Sequence, residues 1–152
     1  MPLILRGIFV CIAMINIYTA DVSISLKNRT DIKEWITSII RKEGHKLEQL
    51  NYIFCSDTYL LEINEQYLKH DDYTDIITFD LSDKKGVVNG EIYISYERIK
   101  ENAAKYLQTI KNESHRIMVH GALHLLGYKD KTAKEKTEMT QKEDFYLNLR
   151  KF

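Results

Sequence analysis

The segment from His120 to Asp130, which reads HGALHLLGYKD, decides how the C-terminal part of this chain folds and what it can bind. His120 and His124 are four residues apart in an apolar run, so both imidazoles project from the same face of a helix, one turn apart. Gly127 predicts the end of that helix, because glycine adopts the left-handed C′ conformation without steric cost. The chain can then fold back and bring Asp130 towards the imidazoles. This pattern is typical of a three-ligand catalytic zinc site with an open fourth position.

The two histidines could instead form a polar stripe on a helix that binds nothing. Their apolar neighbours argue against this alternative, since a helix that is apolar nearly all round is expected to be buried. Those neighbours are Ile117, Met118, Val119, Leu123, Leu125 and Leu126. Burial of two imidazoles without partners is costly, and a metal ion satisfies both. The sequence therefore favours His120, His124 and Asp130 as ligands of one zinc ion, with another divalent transition metal as the alternative.

The same eleven residues resemble the signature of the YbeY family of bacterial metal-dependent endoribonucleases, which reads H-G-x-L-H-L-x-G-Y-D-H. A second similar block is NEQYLKHDDYTDIITF, residues 64–79, in which the matching positions are Asn64, Tyr67, Asp71, Thr74, Asp75 and Phe79. A third is Gly90-Glu91-Ile92 with Ile94-Ser95, similar to the family's strand before a helix. The blocks occur in the family's order, and the resemblance extends from Ile15 to the end of the chain.

Two positions depart from the family pattern. Leu68 stands where the family has an arginine, followed by Lys69 and His70. Leucine cannot clamp a phosphate, and lysine does so only as a point charge; His70 is a weak candidate for that contact. Asp130 replaces the last histidine, so a carboxylate would cancel one positive charge, make a metal-bound water less acidic and favour harder metals than three imidazoles would.

The resemblance implies a zinc-dependent endoribonuclease specific for single-stranded RNA. It implies roles in ribosomal RNA maturation, at the 3′ end of the small-subunit RNA, and in ribosome quality control, with ribosome-associated proteins as candidate partners. Arg116, one turn before His120, with the lysines that follow Asp130, would steady phosphate. Asp75 is a candidate for positioning water or substrate. Tyr67, Tyr73 and Tyr128 could stack on unpaired bases, although core packing explains tyrosines equally well.

Two other functions remain open on the residues alone. The histidine spacing is also that of zinc peptidases, but Gly121 stands where those enzymes carry a glutamate base. We interpret this glycine as keeping the helix surface low beside the metal, so that a bulky substrate could approach. The other alternative is a non-catalytic ribosome-associated factor with a structural metal. That function needs a fourth protein ligand, and the sequence offers no obvious one.

Composition indicates an ordinary water-soluble domain. Lys and Arg total 22 and Asp and Glu total 22, so RNA contacts must come from a local patch. Cys11 and Cys55 do not suggest a disulfide framework, and we expect reduced thiols in the cytoplasm. No segment is long enough to span a membrane. We expect residues 1–13 to be an over-long start or a short leader, and residues 14–152 to form a single metallohydrolase domain.

Periodicity predicts an α+β fold in which a small mixed β-sheet of about four strands packs with about five helices. The strands are expected at 15–19, 50–55, 76–79 and 91–95, one of them antiparallel to the others. The helices are expected after a cap at Thr30-Asp31, from a cap at Ser56 or Asp57 to about residue 67, at 96–107, at 113–126 with Asn112 as cap, and at 131–149. His45 and His115 are expected at the surface, and Cys55 inside a packed strand.

Overall fold

The computed structural model describes residues 2–5, 8–11, 13–69 and 73–152 of the chain. In chain order, the elements are β1 (Pro2–Leu5), β2 (Ile8–Cys11), β3 (Met14–Thr19), α1 (Arg29–Lys42), β4 (Lys46–Cys55), α2 (Asp57–Leu68), β5 (Ile76–Asp80), β6 (Val87–Ser95), α3 (Tyr96–Lys105), α4 (Ile110–Leu125) and α5 (Ala133–Asn148). His70 and Asp71, which sequence analysis singled out, lie outside the described residues.

A four-stranded mixed sheet lies at the centre, in the order β3-β4-β6-β5. β3 runs parallel to β4 and β4 parallel to β6, whereas β5 is antiparallel to β6. Parallel neighbours need a crossover, and α1 supplies it between β3 and β4. Within the described residues, the α+β class, the four-stranded mixed sheet, its one reversed strand and the five helices are therefore confirmed.

Both faces of this sheet are covered. The larger core lies on the side of α1, α4 and α5, and its fully buried members include Ile36, Leu50, Ile92 and Met118. A smaller cluster, centred on Cys55, Leu60 and Ile77, lies where α2 packs. Successive strand residues point to opposite faces, so Ile92 and Ile94 serve the larger core while Tyr93 between them packs against the smaller one. Cys55 is buried and free, as predicted.

The helix that carries the two histidines begins earlier than the sequence analysis placed it. α4 starts at Ile110, and Thr109 is its cap, with the side-chain oxygen accepting a hydrogen bond from the backbone N–H of Asn112. The cap expected at Asn112 was therefore wrong by one turn, because a threonine in extended conformation competes well with asparagine for this position. Similarly, α1 begins after Asn28, which has left-handed backbone angles and no side-chain cap, rather than at Thr30-Asp31.

The two central strands are longer than predicted, because their pairing with each other extends beyond their apolar centres. β4 starts at Lys46 and β6 at Val87, and those two residues pair with each other. The turn between β5 and β6 is correspondingly shorter than the segment 82–90 that its charge and glycines indicated.

The N-terminal segment contains a pairing that sequence analysis did not identify. β1 and β2 form a separate two-stranded antiparallel sheet, with Pro2 opposite Cys11 and Leu5 opposite Ile8. That residues 1–13 are an over-long start or leader, and 14–152 the domain, stays a prediction. Among the described helices, none combines the length and apolar character needed to cross a membrane.

Candidate metal centre

Three side chains from α4 and the loop after it converge on one point. Nε2 of His120 lies 3.0 Å from Nε2 of His124. Oδ2 of Asp130 lies 3.2 Å from the first of these nitrogens and 3.3 Å from the second. The four-residue spacing and the fold-back therefore bring the three predicted ligands together, and within the described part of the chain they form the single such group of His, Cys, Asp or Glu side chains.

The other nitrogen of each imidazole fixes which atom faces the centre. Nδ1 of His124 lies 3.0 Å from the backbone carbonyl oxygen of Tyr128, which can only accept, so Nδ1 carries the hydrogen. Nδ1 of His120 lies 2.7 Å from Oε2 of Glu143, and the other oxygen of that carboxylate accepts from Arg116. In its neutral form, each imidazole thus directs its Nε2 lone pair at the other ring and at the Asp130 carboxylate.

This arrangement of acceptors fits a divalent cation. Three lone-pair atoms 3.0–3.3 Å apart, with no hydrogen between them, repel one another unless a cation or proton lies between them. Tetrahedral zinc, with bonds of about 2.0–2.1 Å, separates its ligand atoms by about 3.3 Å. Metal-bound histidines usually donate their second N–H to a carboxylate or backbone carbonyl, and here there is one of each. The donor set therefore fits zinc, and it also fits another divalent transition metal.

The helix end that positions Asp130 forms as predicted. Gly127 has a φ of 104°, which a side chain would disfavour. Its N–H donates to the carbonyl of His124, and the N–H of Tyr128 donates to the carbonyl of Leu123, the pair of bonds that defines a Schellman motif. The motif turns the chain back towards α4, so that the Tyr128 carbonyl orients His124 and Asp130 faces both imidazoles.

Glu143 is a site residue that sequence reasoning missed. It lies on α5, where its side chain is 8% exposed, and binds both His120 and Arg116. Burial acts to lower the pKa of His120, but the hydrogen bond and charge of Glu143, with the charge of Asp130, outweigh burial and raise it. Because Met139 and Leu147 lie four residues on either side of Glu143 and are buried, the helical period could have indicated that this glutamate faces inward.

Arg116 is held by two carboxylates. Its Nη1 lies 2.9 Å from Oε1 of Glu143 and its Nη2 lies 2.6 Å from Oδ1 of Asp144. The guanidinium therefore fixes Glu143 behind His120 in this conformation. Contact between Arg116 and phosphate stays a prediction.

A cleft of about 170 Å³ adjoins His120, and Asp75 lies on it. The other lining residues are Asn102, Glu113, Arg116, Ile117 and Glu143. Burial raises the pKa of Glu113 although Arg116 opposes the shift. Asp75 thus lies near the candidate centre, and its catalytic role stays a prediction. The four lysines expected to add positive charge near the site, Lys129, Lys131, Lys134 and Lys136, are all exposed.

The three tyrosines proposed for base stacking have different environments. Tyr67 and Tyr73 are 61% and 55% exposed. The Tyr67 ring also contacts Phe79, and Arg98 lies over the Tyr73 ring. The hydroxyl of Tyr128 donates to Glu43 at 2.5 Å, which gives this ring a structural contact.

Two interpretations from the sequence were wrong. Gly121 does not face the centre; a Cβ there would lie 2.9 Å from Ile76 Cδ1 and 2.9 Å from Ile92 Cγ2, so the glycine lets α4 approach the sheet. His115 is not at the surface but 1% exposed, and its Nδ1 accepts from Arg150 at 2.6 Å. The tertiary fold buries both residues, Gly121 against the sheet and His115 against Trp35 and Phe152.

Comparison with known proteins gives consistent matches over nearly the whole chain. The family model described as Endoribonuclease YbeY matches residues 14–151. Endoribonuclease YbeY of Cytophaga hutchinsonii is 52% identical over 135 residues, which cover 89% of this chain and 94% of that protein. Its counterpart in Amoebophilus asiaticus is 43% identical over 135 residues, covering 89% of this chain and 92% of that protein. The solution structure of a Thermotoga maritima protein matches with a TM-score of 0.61 and 31% identity, covering 89% of this chain and 87% of that one.

Fold and site together define a small α+β protein with a three-residue candidate site for a divalent cation. The chain belongs to the YbeY family of endoribonucleases. The family and the enzyme class, a hydrolase that cleaves RNA, which the three sequence blocks predicted, are thereby confirmed.

Proposed function

We propose that this protein is a zinc-dependent endoribonuclease that cleaves single-stranded RNA during ribosomal RNA maturation, including the 3′ end of the small-subunit RNA, and in ribosome quality control. The observation that carries the proposal is the convergence of the His120, His124 and Asp130 acceptor atoms within 3.0–3.3 Å. Because the substrate is ribosomal RNA, we further infer that the protein acts in the cytoplasm and that residues 14–152 are the working domain.

A divalent cation held by these three residues supplies Lewis-acid polarisation of a phosphoryl oxygen and activation of water at neutral pH. The chain's own residues keep this site open and oriented. Glu143 and the Tyr128 carbonyl hold the two imidazole rings, so the ligands need little reorganisation. The Asp130 side chain is 39% exposed, which leaves one side of the centre accessible to a polymer.

The charges around the centre favour RNA binding on one side of it. The cleft beside His120 contains Asp75, Glu113 and Glu143, and its single arginine is already paired with carboxylates. An RNA backbone is therefore expected to approach from the side of Lys129 and Lys131, the exposed cations on either side of Asp130 in the sequence. Tyr67 and Tyr73 would stack on unpaired bases, which are accessible in a single strand but not in a duplex. This favours a single-stranded substrate.

Peptidase activity is less well supported. Position 121, where zinc peptidases carry their glutamate base, packs against Ile76 and Ile92 and has no space for a Cβ. A purely structural metal is also less well supported, since within the described residues the ligand group has three members and closed zinc sites have four.

The proposal is tested by cleavage of a defined RNA with the purified full chain. We expect cleavage of the single strand, little cleavage of the same strand annealed to its complement, loss of cleavage after chelation, and recovery on addition of Zn²⁺. His120→Ala, His124→Ala and Asp130→Ala should each lose bound metal and cleavage while circular dichroism stays that of the parent. Full metal content and activity in the His124→Ala protein would contradict the proposed site.

A further inference from the structure

We propose that Glu43 is a positioning residue of the candidate metal centre, because it anchors the partners of both ligand histidines without touching either ring. The inference rests on the proposed metal site but not on RNA cleavage. Glu43 lies at the C-terminal cap of α1 and is far from His120 in the sequence. No motif in the chain points to it.

The Glu43 carboxylate is bound by three donors from two other parts of the fold. The Tyr128 hydroxyl donates to Oε1 at 2.5 Å, and the Lys142 ammonium lies 3.2 Å from Oε2. The Tyr146 hydroxyl also donates to Oε2. The Glu43 side chain is only 11% exposed. Burial acts to raise the pKa of Glu43, but these donors outweigh it and lower the pKa, so the ionised form accepts from all three.

The first connection runs through Tyr128 to His124. The hydroxyl of Tyr128 is bound to Glu43, while its backbone carbonyl accepts from Nδ1 of His124 at 3.0 Å. The Lys142 ammonium, which also binds Glu43, lies 5.6 Å from the centre of the Tyr128 ring and makes a cation–π contact with it. Tyr128 lies two residues before Asp130, so fixing its ring at Glu43 also fixes the loop that delivers the carboxylate ligand.

The second connection runs along α5 to His120. Tyr146 is 1% exposed, its hydroxyl binds Glu43, and its backbone carbonyl accepts from the Trp35 indole at 3.1 Å. These contacts fix the rotation of α5 against α1. Glu143 lies three residues before Tyr146, on the same face of the helix, and it holds Nδ1 of His120. Glu43 is therefore the common anchor of the two groups that orient the imidazoles.

The test measures metal affinity directly, with Zn²⁺ titrated into metal-free protein against a chromophoric chelator. Glu43→Gln keeps the side-chain shape but leaves one acceptor oxygen for three donors. Loss of an outer-sphere partner typically weakens metal binding by about 10–100-fold, and we expect this range for Glu43→Gln and a smaller loss for Tyr128→Phe. Glu138→Gln is the matched control, because it removes an exposed carboxylate from a second cleft, which Glu43 and Tyr128 also line. Its Zn²⁺ affinity should equal that of the parent.

A double variant separates positioning from general weakening of the fold. If Glu43 acts through Tyr128 and Tyr146, the Glu43→Gln/Tyr128→Phe protein should bind Zn²⁺ no more weakly than Glu43→Gln alone. Urea unfolding of each metal-free protein shows whether it is folded under the titration conditions. If the Glu43→Gln protein is unfolded there, the Tyr128→Phe protein is used to test the inference. Parental Zn²⁺ affinity in a folded single variant, or additive losses in the double variant, would overturn the inference. Because no RNA enters the assay, failure of the proposed endoribonuclease function leaves this result unaffected.

Discussion

Acidification is expected to destabilise this protein through the buried imidazole of His115. The ring is 1% exposed and accepts a hydrogen bond from Arg150 through Nδ1, so a proton on that nitrogen would remove the acceptor and leave two cations in contact. Burial, reinforced by the charges of Arg150 and Lys111, lowers the pKa of His115 from 6.5 to about 4. The folded state therefore favours the neutral ring.

The magnitude follows from the difference in pKa between the folded and unfolded chains. Above pH 6.5 both states carry a neutral His115 and the full contribution to stability is present. As the pH falls below 6.5 the unfolded chain binds a proton first, so stability is lost until the folded pKa is reached. At about 1.4 kcal/mol per pKa unit, the loss is roughly 2.5 kcal/mol by pH 4.5.

The assay is urea unfolding of metal-free parent and His115→Asn protein at several pH values between 7 and 4.5. Asparagine keeps an acceptor oxygen where Nδ1 stands and cannot take up a proton in this range. Carboxylates titrate alike in both proteins, so their effect cancels in the difference. We expect the free energy of unfolding of the parent to fall by about 2.5 kcal/mol more than that of the variant. Parallel pH dependence of the two proteins would refute the reasoning.

Three further predictions concern α4, the loop after it and α5. Gly121→Ala should destabilise the protein by about 1–3 kcal/mol in urea unfolding, because its Cβ would overlap Ile76 and Ile92; unchanged stability would show that α4 does not pack as described. Asp130→His should retain Zn²⁺ binding in the chelator titration, since an imidazole replaces a carboxylate ligand, and complete loss of binding would argue against this position as a ligand. Glu143→Gln should weaken Zn²⁺ binding by about 10–100-fold, with parental affinity as the contradicting result.

Local sequence signals predicted much of the fold and the candidate ligands. Ser56 was one of the two expected caps of α2, and it accepts a hydrogen bond from the Tyr59 N–H as a cap should. The helical period of His120 and His124 and the left-handed requirement at Gly127 are also local, and together they were enough to bring three ligand candidates together. Such features depend on neighbours within one or two turns, which a single sequence contains.

The residues that sequence reasoning missed depend on contacts between distant segments. The helical period could have placed Glu143 on the inward side of α5, but only the packing of α5 on α4 shows that it faces His120. The tertiary fold sets the close approach of β5 and β6 to α4. Sequence reasoning therefore could not place Gly121 against the sheet, and it read the glycine as clearance for a substrate. His115 was expected at the surface for the same reason. Its burial depends on two distant residues, Trp35 of α1 and Phe152 in the C-terminal segment.

The central claim is that His120, His124 and Asp130 hold one divalent cation with a coordination position left open. Anomalous X-ray diffraction from crystals of the Zn²⁺-loaded protein, recorded on both sides of the zinc absorption edge, tests it most directly. The account predicts one strong anomalous peak within bonding distance of Nε2 of both histidines and of the Asp130 carboxylate, and no fourth protein ligand. A peak at other residues, or a fourth protein ligand that closes the coordination sphere, would contradict it.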